Sequence, residues 1–333
     1  MEKSVLIMMA TYNGEKYIEE QIESIINQTY ENWKLIIQDD GSEDKTVQII
    51  NYFCKKDSRI TFRKNDTSVH GAFSNFHSLI NYCKTLEKYD YYMFSDQDDI
   101  WFNNKIEFFV DYFHKESKES IPFFCYADLS LIDGDGKKIN DSLNSIWKID
   151  GKNRVSLFFS HKVYGCNMMI NEKLFRIVPE LDINNININI MSHDNYYAKF
   201  AAVFGGFAYL NVSLMDYRRH DNNETANQKF TVDFKRLLYR VSHINDLAKK
   251  HANIYNQTLV TIAMLKKKKL NNKQRKFIDV METVIKTGGF KALKFCSANK
   301  VLWGNRIENI SRKLILTLGI YRKYLIDESD IDL

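Results

Sequence analysis

Three carboxylates fall within four residues of the segment YYMFSDQDDIW (residues 91–101): Asp96, Asp98 and Asp99. Apolar and aromatic residues run straight into them. Like charges this close repel, and each costs several kcal/mol if buried without a partner, so something must compensate. At the end of an extended segment, residues two apart point the same way. Asp96 and Asp98 are therefore expected to converge, with Asp99 on the opposite side. Two converging carboxylates make a hard-oxygen site for Mg²⁺ or Mn²⁺. Mg²⁺ takes only one or two protein carboxylates and commonly fills its shell with substrate phosphate oxygens, so the spacing points to a phosphorylated ligand.

The elements that must hold such a site are legible around it. SVLIMMA is a continuous apolar run, as in a strand covered on both faces. After the turn TYNG, Ile18, Ile22, Ile25 and Ile26 follow a helical stripe. KLIIQ reads as a second strand ended by DDGSEDKT, where Ser42 or Asp44 can cap a helix carrying Val47, Ile50 and Phe53. RITFRK, AFSNFHSLINYCKTL, YDYYMF and NNKIEFFVDYFHK continue the strand–helix alternation. Alternation at this spacing means βαβ units and a mostly parallel sheet. Ligands of such sheets bind beyond the carboxyl ends of the strands, where TYNGE, QDDGS and SDQDD lie. Farther on, PFFCYADLSLIDGDGKKI reads as a strand and hairpin and VYGCNMMI as a strand. HDNYYAKFAAVFG reads as a helix and FAYLNVSLMDYRRH as one or two strands.

ATYNGEKYIEEQIESIINQTYENWKLIIQDDGSEDKT followed by SDQDDIW closely resembles the family 2 glycosyltransferases of GT-A fold, over residues 3 to about 225. The motifs NFHSLI, SDQDDIW, HDNYYAKFAAVFG and YRRHDNN are most similar to those of bacterial rhamnosyltransferases building surface polysaccharides. The resemblance implies an α/β nucleotide-sugar-binding domain over residues 1–228. It places Thr11, Tyr12 and Glu15 of the first motif beside the donor nucleotide, with Tyr12 against the base. Asp39 or Asp40, with Asp40 favoured, would accept the base imide N–H, and Asn75 would approach the donor. Asp96 matches the carboxylate on the ribose or metal, and Asp98 the principal ligand of Mn²⁺ or Mg²⁺. Asp99 and Trp101 would shape the turn. Arg218 would reach the diphosphate and His220 the metal or phosphate. Inverting transfer needs a base for the acceptor hydroxyl, and the resemblance assigns that role to Asp194, with His193 beside it. Related rhamnosyltransferases usually carry tryptophan after the His-Asp pair, where this chain has Asn195, and a glycine where it reads NNETA. Gly165–Met169 (GCNMM) resembles the family's acceptor-side strand. The implied donor is dTDP-rhamnose or a UDP-sugar, and the acceptor a polyprenyl-diphosphate-linked saccharide.

The net charge of +5 hides an asymmetry: residues 229–323 hold 22 Lys and Arg against 5 Asp and Glu, while residues 1–228 hold 25 against 33. FKALKFCSANKVLW and ISRKLILTLGIYRKYL mix apolar and basic residues as an interfacial helix does. Residues 229–333 are thus expected to be a basic, mainly helical extension attaching to an anionic membrane surface, where each near-surface Lys or Arg contributes ~1 kcal/mol. No helix-turn-helix, finger or RNA-binding signature accompanies the charge, which disfavours nucleic acid. A homodimer is among the assemblies this reading allows.

Five dispersed cysteines (54, 83, 125, 166 and 296) form no CxxC pair, so neither a disulfide framework nor a zinc site is expected, and a reducing cytoplasm is the default setting. No run approaches the ~18 apolar residues of a membrane span. The expected location is the inner face of the plasma membrane. A sugar-phosphate nucleotidyltransferase would want a Gly-rich phosphate loop after the first strand, and an NAD oxidoreductase a G-x-G-x-x-G; neither is present. Intact Asp96, Asp98 and Asp194 argue against a non-catalytic carbohydrate- or membrane-binding homologue.

Overall fold

Strand β1 (Val5–Thr11) is apolar until its last residue, because it is covered on both sides. Val5, Ile7 and Met9 join one hydrophobic cluster, while Leu6 and Met8 join the other. The structure, a computed structural model, describes residues 2–116, 118–147, 151, 153–160, 162–185, 190–220 and 243–327.

From β1 the chain alternates α1 (Ile18–Ile26), β2 (Trp33–Asp39), α2 (Thr46–Lys56), β3 (Ile60–Lys64), α3 (Ala72–Thr85) and β4 (Tyr91–Ser95). These four strands are parallel in the order β3-β2-β1-β4. All their carboxyl ends therefore lie on one rim, as the βαβ reading requires. The second half runs β5 (Ile100–Trp101), α4 (Lys105–Glu116), β6 (Phe123–Asp133), β7 (Lys138–Asn140), α5 (Leu143–Trp147) and α6 (Ser156–Phe159). It continues with β8 (Met168–Asn171), α7 (Glu172–Ile177), α8 (His193–Phe204) and β9 (Gly206–Arg219). The full sheet has the order β3-β2-β1-β4-β8-β6-β9-β5, with β7 as a hairpin on β6; β8 and β5 run antiparallel to their neighbours. This is the mostly parallel α/β sheet expected.

Two local readings need correction, and a third is narrowed. VYGCNMMI is not a strand throughout: Gly165–Asn167 form a 3₁₀ turn and β8 starts at Met168. The Gly165 N–H is committed to Asp194 and the Cys166 carbonyl to Lys105, so neither joins the ladder. FAYLNVSLMDYRRH, expected as one or two strands, forms one, β9, with register shifts against β6. Neither Ser42 nor Asp44 is the residue before α2, which is Lys45. Asp44 still accepts the Thr46 N–H at 2.9 Å, whereas Ser42 turns to Asp39 and Asn13.

The basic C-terminal sequence folds into α9 (Ile244–Lys266), α10 (Asn272–Thr287), α11 (Gly289–Ala298) and α12 (Arg306–Leu318). Residues 221–242, which include NNETA and the start of the expected helical block, lie outside the described residues. The apolar sides of these helices are built into the sheet's own core. Tyr255, Leu259, Trp303, Ile315 and Tyr321 belong to the same buried cluster as Leu6, Phe94 and Tyr196. Trp303 Nε1 donates to the Phe159 carbonyl at 2.7 Å. Their charged sides remain outward, which is why the sequence reads as a basic block.

Candidate active site

The rim formed by the carboxyl ends of β1, β2 and β4 is assembled by side chains that tie one turn to the next. Tyr12 follows β1 and its ring is 55% exposed, available to a flat ligand. Its backbone is clamped by Gln97: Tyr12 N–H donates to Gln97 Oε1 and Gln97 Nε2 donates to the Tyr12 carbonyl, both at 2.9 Å. Gly14 permits this approach, since a Cβ there would lie 2.4 Å from Gln97 Oε1. Glu15 accepts the Lys45 N–H at 3.0 Å, joining the first turn to the start of α2.

The two aspartates of QDDGS divide their work. Asp39 accepts from Thr11 Oγ1, Ser42 Oγ and the N–H groups of Gly41 and Ser42, at 2.5–3.0 Å. It therefore shapes the turn, and Thr11 is spent in orienting it. Asp40 accepts from Asn65 Nδ2 (2.5 Å), His70 Nδ1 (3.0 Å) and Gly71 N–H (2.7 Å). Asn75 is 2% exposed and lies beneath the rim, not on the helix surface. Its amide donates to the Thr11 and Gln38 carbonyls and accepts from Gln38 Nε2. Every polar atom of that amide is occupied in holding β1 against β2, so a direct donor contact would require those bonds to break.

After β4 the chain bends at once, and the expected convergence of Asp96 with Asp98 is replaced by a different pairing. Asp98 turns towards the end of β9, where its Oδ2 lies 2.7 Å from His220 Nε2. Asp99, expected on the opposite side, instead shares a buried corner with Asp96 and Cys166, their ligand-type atoms all within 4.8 Å. Arg218 fixes the bend: its N–H donates to Asp99 Oδ1 at 3.1 Å and its Nε to the Asp98 carbonyl at 2.9 Å. The Arg218 guanidinium is buried, pairs with Glu20 and lies over the Tyr17 ring. Contact with a diphosphate would require that pair to open.

Electrostatics answer the question posed by the three aspartates. Lys105, the first residue of α4, is fully buried: Nζ donates to the Cys166 carbonyl at 2.7 Å and lies 3.8 Å from the Trp101 ring centroid. Burial lowers its pKa to about 7, partly opposed by Asp99 and Asp96. Burial, then the Asp98 charge, raises Asp96 to about 7, and burial with Asp98 and Asp96 holds Asp99 well above the carboxylate range. Crowding and burial are thus met by proton uptake, which keeps Asp96 and Asp99 towards their neutral forms, and a bound cation would favour the ionised carboxylates instead. Carboxylate oxygens and an imidazole fit Mn²⁺ or Mg²⁺, the imidazole favouring Mn²⁺. The Asp96–Asp99–Cys166 corner suits a cation less well, because the Lys105 ammonium abuts it.

Asp194 lies in the first turn of α8, one residue after its start, and is 8% exposed. Oδ1 accepts its neighbour's N–H (Asn195, 2.6 Å) and Oδ2 accepts from Gly165 N–H (3.1 Å). It is close enough to Asp96 to raise that group's pKa. His193 beside it packs between Phe76 and Phe94, with ring centroids 4.1 and 4.5 Å away.

Of the residues expected at the site, Tyr12, Asp40, Asp96, Asp98 and His220 edge the rim, and Asp194 lies near Asp96. Thr11, Asp39, Glu15 and Asn75 brace it. Sequence reasoning missed Gln97, Glu20 and Lys105, and reached Cys166 only as part of the GCNMM segment. Only Lys105 left a signal: it sits four residues before Phe109, on the apolar stripe of its helix.

A mostly parallel sheet with an acidic turn at its carboxyl rim and a helix-borne aspartate nearby is an architecture that glycosyltransferases share with other α/β enzymes. Staphylococcus aureus TarS 1–349 in complex with UDP-GlcNAc superposes with a TM-score of 0.52 over 95% of this chain and 92% of that one, at 14% identity, a likeness of fold. The family model for Glycosyl transferase family 2 matches residues 6–178, and the chain belongs to that family. The dTDP-rhamnosyl transferase RfbG of Shigella flexneri is 34% identical over 236 residues, 69% of this chain and 78% of that protein. An uncharacterized glycosyltransferase of Rickettsia typhi is 29% identical over 184 residues, and there the match spans only about half of either chain (54% and 53%). The protein is a family 2 glycosyltransferase, similar to a dTDP-rhamnosyltransferase.

Proposed function

We propose that this enzyme is an inverting, metal-dependent rhamnosyltransferase. It moves rhamnose from dTDP-rhamnose to a polyprenyl-diphosphate-linked saccharide in capsule, O-antigen or cell-wall polysaccharide synthesis. The observation that carries the reading is the 2.7 Å approach of Asp98 to His220 at the carboxyl rim of the sheet, with Asp194 near enough to Asp96 for its charge to be felt there. The 34% identity to RfbG supports rhamnose as the sugar.

In this reading Tyr12 stacks on the thymine and Asp40 accepts its imide N–H. Asp96, Asp98 and His220 would hold Mn²⁺ or Mg²⁺, which when bound supplies charge neutralisation for the diphosphate. The Asp194 carboxylate accepts the proton of the acceptor hydroxyl as that oxygen bonds to the anomeric carbon. The bond from that carbon to the diphosphate oxygen breaks on the opposite face, and dTDP leaves. The two hydrogen bonds on Asp194 hold its oxygens in place for that proton.

The acceptor's lipid suggests where the enzyme works, on the inner face of the plasma membrane. Among the described residues no helix is long and apolar enough to cross a membrane, so contact would be peripheral. Exposed Ile310, Leu314 and Leu318 form one ridge of α12, with Arg306 at its start, and Phe290 stands 79% exposed on α11 beside Lys291 and Lys294. Such a mixture suits an anionic lipid surface.

The test is turnover of dTDP-rhamnose, UDP-glucose, UDP-N-acetylglucosamine and GDP-mannose by wild type and Asp194→Asn. Turnover of dTDP-rhamnose alone, lost at least 100-fold in a variant that still binds dTDP, is expected. Preference for a UDP-sugar would replace rhamnose with a hexose or N-acetylhexosamine. Wild-type turnover by Asp194→Asn would remove it as the base.

A further inference from the structure

The turn carrying Asp194 is gripped by the C-terminal helices, through a glutamine that no motif singles out. Gln257 lies in the middle of α9, 8% exposed. Its Oε1 accepts from Ser192 Oγ at 3.1 Å and from Asn195 Nδ2 at 3.2 Å. Those two donors flank His193 and Asp194. The Asn195 amide is oriented from its other side by Lys199, fully buried one turn on, whose Nζ donates to Asn195 Oδ1 at 2.8 Å.

Ser192 precedes α8, a position where a serine hydroxyl ordinarily accepts an N–H of the first turn. It makes no such bond, and the hydroxyl is given to Gln257. Asp194 is thereby held from two directions. Gly165 N–H reaches Oδ2 from the turn before β8, and the peptide bearing Asp194 is fixed on both flanks by Gln257. The contacts are all among buried groups, where a hydrogen bond left unmade costs more than one formed with water contributes.

We infer that Gln257 is a positioning residue for the catalytic base: α9 fixes the first turn of α8 so that the Asp194 carboxylate faces the acceptor oxygen. The C-terminal helices thus take part in the chemistry as well as in any attachment to a surface. This rests on the reading of Asp194 as the base. A base displaced by ~1 Å can cost ~100-fold in rate, while donor binding at the β1, β2 and β4 rim does not depend on it.

The experiment compares wild-type full-length protein with Gln257→Leu, Gln257→Glu and Ser192→Ala, using whichever nucleotide-sugar of the four-donor panel wild type turns over. Gln257→Leu should lower kcat at least tenfold, with donor KM and nucleotide affinity unchanged within twofold. Gln257→Glu keeps an acceptor oxygen for both donors and should recover most of that rate. Ser192→Ala, which removes one of the two donors, should fall between. It also carries the test if the leucine variant does not fold. Wild-type kcat in Gln257→Leu, or equal loss in the leucine and glutamate variants, overturns the inference. Unimpaired turnover by Asp194→Asn instead overturns the base assignment beneath it.

Discussion

His220 Nε2 lies 2.7 Å from Asp98 Oδ2, joining the end of β9 to the turn after β4 across 122 positions of sequence. Both side chains are mostly buried, 17% and 13% exposed. A cation entering there exchanges this contact for coordination by both groups. Asp98→Ala should therefore abolish metal-dependent dTDP binding. His220→Ala should weaken it ~10–100-fold, leaving the oxygen ligands. Binding of dTDP by His220→Ala with wild-type Mn²⁺ dependence would exclude the imidazole from the metal.

The pH dependence of metal stabilisation follows from Asp96. Its pKa rises on folding from 3.8 to about 7, through burial and then Asp98. Such a group contributes stability that is full below pH 3.8 and lost as pH rises through about 7, because the unfolded chain releases the proton first. A cation bound to the ionised form reverses that loss. Mn²⁺ should raise Tm by several degrees at pH 8 and by little at pH 5. An equal shift at both would mean that Asp96 is not part of the binding site.

Gly165 has no room for a side chain. A Cβ at this position would fall 2.3 Å from His193 Nε2, and the ring is itself confined by Phe76 and Phe94. Gly165→Ala should destabilise the protein by ~1–3 kcal/mol, the usual cost of overpacking, and should depress turnover because the same residue holds Asp194. Denaturant unfolding with parallel turnover assays checks both. Wild-type stability would show that α8 can shift to accommodate the methyl.

The ridge of α12 bears the membrane proposal. Ile310→Asp/Leu314→Asp should reduce co-sedimentation with vesicles containing phosphatidylserine at least tenfold, with dTDP binding intact. Neutral phosphatidylcholine vesicles should retain little wild-type protein, since near-surface Lys and Arg contribute ~1 kcal/mol each only against negative charge. Unchanged sedimentation of the double variant would exclude this ridge as the contact.

The parallel half of the sheet was legible because its signals are local: apolar runs for doubly covered strands, isoleucine spacing for α1, polar clusters at the strand ends. The turn holding Asp96, Asp98 and Asp99 was recognised by composition but misread in geometry. Period-two alternation applies only while the strand lasts, and β4 ends at Ser95. Of the partners that settle the turn, Lys105 follows it by six residues, but Cys166 and Arg218 come from distant segments that no local spacing brings together. The C-terminal helices were read from their charge, which faces outward. Tyr255, Trp303 and Tyr321, which lock them to the sheet, looked in the sequence like ordinary interleaved aromatics. Gln257 had no signal at all, since a single glutamine in a helix is most often solvated.

The most direct measurement is calorimetric titration of wild-type protein with dTDP, UDP and GDP, each with and without Mn²⁺. dTDP is expected to bind best, with Mn²⁺ tightening it at least tenfold and the gain disappearing in Asp98→Ala. Tight binding of any of the three without metal, or failure of the folded protein to bind any, would contradict this.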